Sequence, residues 1–473
     1  MAEDGGQERS RGPRRPRGVI AALVALALIA AVGFVAWIAW PPGSPDEFTV
    51  VTGRDASRTG IYAALIEEWN ACHSGDGPEA RLVELSGITD LQRADMLRQL
   101  QSDGPGYDVL NLDTQWIAEF ARAGHIAALD DVDTRGLLPN TLDSVRYEGD
   151  MWAVPFIADA GLLYFRSDLV DRDDLEGQDW DDTLTVLRAA AEEAGRDGVH
   201  GYAGQLAAYE GLTVNALEVA NVDQRGLVTD EDGLRADLTG GPQRAALRLI
   251  ADGLATGAIH PGSLDDTEID SADRFTAGEV IAMRNWPVWY DDLAERPGVL
   301  PADELAGVEE QGEDPGGHEI EFGVLPLPDY SAVLGGQSLA VAAGSPHRDA
   351  AVDLIEFLTA AEQQRRLFHT AGYAPVREDA YHGEVAEGVQ PGCATDDRPM
   401  TSVEERRGAY ADLLLDSVRG ARGRPPTAYY PRFSQTFYNG LNPLLKTAAR
   451  GEDLHLDDLT DLQGRLQNTL RGH

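Results

Sequence analysis

Lysine is nearly absent from this chain of 473 residues: Lys446 stands alone among 39 basic side chains. Acidic residues number 80, so the net charge is −41. No basic stripe interrupts that balance. Recognition of a phosphate backbone, which needs clustered cations, is therefore excluded, and so is attraction to anionic headgroups. Cysteine is almost as scarce, with Cys72 and Cys393 permitting one disulfide at most. The ten histidines show neither HxxxH nor CxxC-type spacing, so no metal site and no cofactor are expected. Repeats and long low-complexity tracts are also missing.

Long apolar runs are missing too, with one exception. Residues 19–40 form an uninterrupted apolar stretch of 22 residues, about 33 Å as a helix and long enough for a hydrocarbon core of roughly 30 Å. Arg9, Arg11, Arg14, Arg15 and Arg17 precede it. By the positive-inside rule residues 1–18 stay in the cytoplasm and the body is exported. A cleaved signal peptide is the alternative. Its apolar region would be about 7–15 residues, and no clean small-x-small cleavage site follows here. Trp37 and Trp40 suit an interfacial belt. The pattern favours a single-pass anchor with the globular part extracellular, or secretion if the segment is cleaved. Pro41, Pro42, Gly43 and Pro45 make 41–47 a linker. Five arginines against three acids leave the first 40 residues at +2, so the remainder carries −43. That remainder, about 430 residues, is ample for two lobes with cores of their own.

Beyond the linker, strand and helix patterns alternate. Residues 48–52 read as a buried strand. A helix follows, with Ile61, Tyr62, Leu65, Ile66 and Trp69 on one face. Residues 83–85 and 107–112 are further strands, separated by a helix over 91–100; a third helix over 116–123 stops at Gly124. Strands at 162–165, 280–283, 322–326 and 339–342 continue the rhythm, with a helix over 182–194 that Asp181 can cap. Ser345 and Pro346 suit the N-cap and first position of a helix running to Leu358. The alternation implies an α/β fold with largely parallel sheets.

Four segments place aromatics beside carboxylates or amides. They are 111–116 (with Asp113 and Trp116), 155–161 (with Asp159), 205–211 (with Gln205, Tyr209 and Glu210) and 284–290 (with Asn285, Trp286 and Trp289). Sugar recognition needs this mixture, because carboxylates and amides serve pairs of hydroxyls while an aromatic face packs on the C–H face of a pyranose. Each segment also has a plain structural reading. Trp116 shares a helical stripe with Phe120, Asp113 can cap the helix that follows it, and Asp159 fits a solvated turn.

The order of these segments resembles a known family. Leu112-Asp113 followed by Trp116 and Gly124, then Val154-Pro155-Phe156 with Asp159, then Gln205-x-x-x-Tyr209-Glu210, looks like the extracellular solute-binding proteins of ABC sugar importers. The Gln205–Glu218 stretch is similar to their maltose- and trehalose-binding branch, and Arg284-Asn285-Trp286-Pro287, Gly335-Gly336 and the segment from Arg424 to Pro431 match later landmarks. The resemblance implies two α/β lobes on a multi-strand hinge, with 46–157 plus 279–336 as lobe one and 158–278 plus 337–473 as lobe two. It implies that Asp113 and Trp116 hold sugar from lobe one, and Asp159, Gln205, Tyr209 and Glu210 from lobe two. Asn285, Trp286, Gly335 and Gly336 would line the cleft, Arg424 would add a late polar contact, and Phe437 or Tyr438 a stacking platform. Arg54 and Asp55 would add a further contribution from lobe one. The implied partners are a carbohydrate and ABC permease subunits, with the chain a monomer and not an enzyme. A sugar sensor and a surface glycosidase are the alternatives. Because no cysteine precedes Cys72, a lipid tether is excluded and the apolar helix itself has to hold the protein at the membrane. With Cys72 and Cys393 in different lobes, two unpaired thiols are favoured over a bridge.

Overall fold

The computed structural model describes residues 47–472 apart from 76, 88, 103–105, 197, 222–225, 229–234, 303–319 and 383–407. The expected cytoplasmic tail, the apolar run 19–40 and the linker up to residue 46 lie outside the described residues. Asp46–His473 forms one compact unit. Among the described residues no helix is long and apolar enough to cross a membrane.

Three strands open the body: β1 (Glu47–Thr52), β2 (Glu79–Glu84) and β3 (Val109–Asp113). A small antiparallel ribbon, β4 (Arg146–Tyr147) with β5 (Asp150–Met151), precedes β6 (Val154–Ala160). A second sheet is then built from β7 (Leu162–Arg166), β8 (His200–Ala203), β9 (Val280–Asn285), β10 (Val299–Pro301) and β11 (Ile320–Pro326). The last strand, β12 (Leu334–Val341), returns to the first sheet. The two sheets run β2-β1-β3-β12-β6 and β10-β11-β7-β9-β8. Parallel pairing of β1 with β2 on one side and β3 on the other places it inside the sheet, where Phe48, Val50 and Val51 are buried.

Strand pairing corrects the expected lobe boundaries. Residues 279–336 are expected in lobe one, yet β9 and β11 pair with β7. Residues from 337 onward are expected in lobe two, yet β12 lies between β3 and β6. Asp159, on β6, likewise comes from the first sheet and not the second. The physical cause is the ladder itself, since β3 and β6 would otherwise leave their facing backbone groups unpaired.

The chain passes from the first sheet to the second at Gly161 and returns between Pro326 and Leu334. That return is braced by a later segment: Leu334 N–H donates to the Arg422 carbonyl at 2.7 Å, and Arg422 N–H to the Ala332 carbonyl at 3.0 Å.

Helices among the described residues connect the strands and flank the sheets. Helix α1 (Ile61–Cys72) buries the predicted Ile61, Tyr62, Leu65, Ile66 and Trp69 stripe, and α2 (Thr89–Leu100) follows β2. Helix α3 (Trp180–Glu193) starts two residues earlier than the pattern implied, capped by Asp179, whose carboxylate accepts from Asp182 N–H at 2.8 Å. Helices α4 (Glu210–Ala220) and α5 (Glu268–Thr276) belong to the second lobe. Helix α6 (Arg348–Leu358) begins three residues after the expected Ser345 cap; the Ser345 hydroxyl accepts from His347 N–H at 3.1 Å and donates to Asp108 at 2.5 Å. Helix α7 (Tyr430–Ala448) packs against α4.

Cys72, at the end of α1, is disulfide-bonded, which overturns the expectation of an unpaired thiol; Cys393 lies outside the described residues. That expectation rested on the lobe boundaries just corrected. The chain up to Tyr381 stays beside the first sheet, with Ala374 bridged to Ala158.

Candidate functional site

The C-terminal ends of the strands meet the N-terminal ends of α4 and α5 around a cavity of about 120 Å³. From the first sheet it receives Asp113 at the end of β3, Asp159 on β6, and Gly335, Gly336 and Gln337 on β12. From the second lobe it receives Tyr209, Glu210, Glu268 and Trp286, and Arg424 enters from the segment that braces the crossing. This is the edge at which open α/β sheets place ligands.

Gly336 shows why the sequence narrows here. Its φ of +107° suits glycine, and a Cβ would stand 2.0 Å from the Ile157 carbonyl oxygen. Gly335 pairs with Asp159 across the ladder and stands against the Trp286 ring. The indole of Trp286 rests on the Arg284 guanidinium, 3.6 Å from its centroid, and donates to Glu268 at 3.4 Å. Arg284 is itself held by both oxygens of buried Glu218, at 2.9 and 2.7 Å. The column Glu218–Arg284–Trp286 thus fixes the ring from beneath, an arrangement that favours one orientation of a large aromatic.

Arg424 joins the two lobes. Its Nη2 donates to Asp113 at 2.8 Å, while its Nη1 donates to Glu210 at 3.2 Å and to the Gln115 side chain. Glu210 also accepts from the Tyr430 hydroxyl at 2.8 Å and from Ser434. Burial pushes Glu210 up to about 7, opposed by Arg424 and Ser434. Asp159 is likewise raised to about 7 by burial and by the charge of Asp113, against Arg284 and Arg424. No side chain among the described residues donates a hydrogen bond to the Asp159 carboxylate, although it faces the cavity. The buried Tyr209 hydroxyl lies beside the Glu268 carboxylate, and burial and that charge raise it above its ordinary value. An Asp159 carboxylate with no side-chain donor in the cavity is a group that a polar ligand can satisfy.

Eight expected residues therefore line this cavity: Asp113, Asp159, Tyr209, Glu210, Trp286, Gly335, Gly336 and Arg424. Trp116 and Tyr438, with Glu210 again, line a neighbouring cavity of about 220 Å³. Asp113 also fulfils its capping alternative, accepting from Gln115 N–H at 3.4 Å. Three expectations are corrected. Gln205 is fully buried and bonds Ser271 at 2.6 Å and the Arg284 carbonyl at 2.8 Å, so it secures the core behind the site. Asn285 is fully buried, donating to the Glu268 carbonyl at 3.0 Å and accepting from Trp286 N–H at 3.0 Å, which positions that turn. Phe437 stacks on Phe433 in the core of the second lobe. Asp55 lies apart from the cavity, where it accepts from Tyr373 at 2.8 Å, and Arg54 is exposed. Sequence reasoning missed Glu268, Gln337 and Gln115, which sit in otherwise ordinary helical and strand patterns.

Comparison with known proteins bears directly on this geometry. The sequence model for the family described as bacterial extracellular solute-binding protein matches residues 76–390. The chain belongs to that family. A protein of Deinococcus radiodurans described as a probable ABC transporter-binding protein is 27% identical over 314 residues, covering 64% of this chain and 70% of the relative. Among solved structures, maltose-bound MalE3 of T. maritima superposes with a TM-score of 0.68 at 25% identity, over 89% of this chain and 99% of that one. UgpB of Mycobacterium tuberculosis, solved with glycerophosphocholine, gives a TM-score of 0.68 at 19% identity over 90% and 98%, and shares the fold alone. The two-lobed architecture of this solute-binding protein is thus that of periplasmic-type binding proteins.

Proposed function

We propose that this protein captures an α-linked disaccharide or short oligosaccharide, maltose- or trehalose-like, between its lobes and delivers it to the permease of an ABC importer. The observation that carries the reading is the shared cavity of Asp113, Asp159, Glu210 and Arg424 around Trp286. Carboxylates accept from pairs of neighbouring hydroxyls, an arginine fork donates to ring and hydroxyl oxygens, and the indole packs on a pyranose face. The maltose named for MalE3 agrees with this chemistry. A phosphate-bearing ligand suits it poorly, because Asp113, Asp159, Glu210 and Glu268 outnumber Arg424 on the cavity wall. The protein acts as a carrier without a chemical step of its own. Residues 19–40 act as its uncleaved tether, with the body outside the cell.

Closure of the lobes converts occupancy into a shape that a permease recognises. A thermal-shift screen of the unit 46–473 against di- and oligosaccharides tests the ligand class: a sugar at about 100 times its Kd adds roughly 2.7 kcal/mol of stability. A screen in which only phosphorylated or cationic compounds shift the transition contradicts it. The tether is tested by salt-washing membranes from expressing cells, which should retain the protein; release into the medium would show cleavage.

A further inference from the structure

The chain crosses between the sheets at Gly161 and again over 326–334, and both crossings meet one side chain, Glu218. Val333 N–H donates to Glu218 Oε1 at 3.3 Å. At the other crossing a Cβ on Gly161 would stand 2.5 Å from the same oxygen and 2.9 Å from Arg284 Nε. Glu218 and Arg284 are buried, so water screens their attraction little. We infer that Glu218 is a positioning residue for ligand capture: through Arg284 it ties the orientation of the Trp286 ring to the conformation of the hinge. This rests on the saccharide reading proposed above, in which Trp286 packs on the sugar.

The Trp286 main chain is held independently, its carbonyl accepting from the Tyr164 hydroxyl at 2.9 Å, which leaves the ring as the part that the pair controls. One face of the ring rests on the Arg284 guanidinium, so the other face is the one a sugar can cover. The ring edge meets the first lobe at Gly335, where a Cβ would lie 3.1 Å from Cη2 and Cζ3. Both Glu218 oxygens are engaged by the guanidinium, which gives the pair a single geometry. A shift of the crossing that displaces the Val333 amide therefore has two outcomes. It breaks that hydrogen bond, or it carries Glu218, Arg284 and the ring along. Val333 is buried, and an unpaired buried N–H is costly, so the concerted movement is favoured. A sugar stacked on Trp286 then stabilises the hinge conformation in which Val333 reaches Glu218.

Titration calorimetry and small-angle X-ray scattering with maltose and trehalose, on the unit 46–473 and its variants, test the inference. Replacing the pair together, Glu218→Gln with Arg284→Met, removes both charges and strands neither, so the protein should still melt cooperatively near the wild-type temperature. Its affinity should nevertheless fall by about fivefold or more, and the sugar-induced decrease in radius of gyration should be lost. Gly161→Ala sets a methyl against the pair from the first crossing. It should weaken binding by about fivefold or more alone, and by less than about twofold once the pair is replaced. A pair-replaced protein that binds and contracts like wild type overturns the inference, as does an equal effect of Gly161→Ala in both backgrounds. If the pair replacement does not fold, Gly161→Ala alone decides: weakened binding with lost contraction supports the positioning role, and wild-type binding overturns it. A wild type that binds neither sugar defeats the saccharide reading itself, and the positioning role with it.

Discussion

Asp159 sits at about 7, raised by burial and by the charge of Asp113 against the pull of Arg284 and Arg424. Its ordinary value is 3.8, so between roughly pH 4 and 7 the folded state binds more protons here than the unfolded chain. The contribution to stability is therefore complete below about pH 4 and is lost as pH rises through 7. Asp159→Asn removes an ionised group that the fold tolerates poorly. It should raise the melting temperature at pH 8, leave it nearly unchanged at pH 4, and weaken ligand binding; a lower melting temperature at pH 8 would contradict the assignment. Glu218 poses the opposite case. Its pairing with Arg284 is buried at both ends, and Glu218→Ala would strand the guanidinium beneath Trp286. Urea unfolding should show a loss of about 3–5 kcal/mol. At this scale the sequence was readable where a residue's type announced its chemistry, as with Trp286 and Asp113. It misled where an amide could serve either ligand or core: Gln205 and Asn285 both turned inward to backbone carbonyls.

Elements decide how these side chains are presented. Helix α4 starts at Glu210, and the Tyr209 ring folds over its second residue: a Cβ on Gly211 would lie 2.4 Å from the Tyr209 ring and hydroxyl. Gly211→Ala should therefore swing Tyr209 away and reduce ligand affinity about tenfold, roughly 1.4 kcal/mol, while thermal stability holds. Retained affinity would show that Tyr209 takes no part. The elements with a strong apolar stripe or a continuous buried run, α1 and β1, were legible within a residue or two. Strand β6 was not, because Pro155 and the small residues Ala158 and Ala160 dilute its pattern, and its identity comes from pairing with β12. Strand β8, only four residues long, offers too little periodicity to read.

Lobe membership could not be read correctly from local pattern, because it is a property of the whole molecule. It depends on which strands share a ladder, and a crossing such as 326–334 carries no local mark of the sheet it will join. The order of motifs over some 400 residues was sufficient for the fold family, since it samples both lobes at once. The disulfide at Cys72 is a constraint of the same scale. Cys72→Ser should cost about 2–5 kcal/mol in chemical denaturation, and an unchanged midpoint would show that the bridge restrains nothing. The central claim is that the interlobe cleft is a saccharide site. Its most direct measurement is titration calorimetry of the unit 46–473 with maltose and with trehalose, beside Asp159→Ala. One-to-one saturable heat with at least one of the sugars, lost in Asp159→Ala, is the predicted result; no heat with either sugar would contradict it.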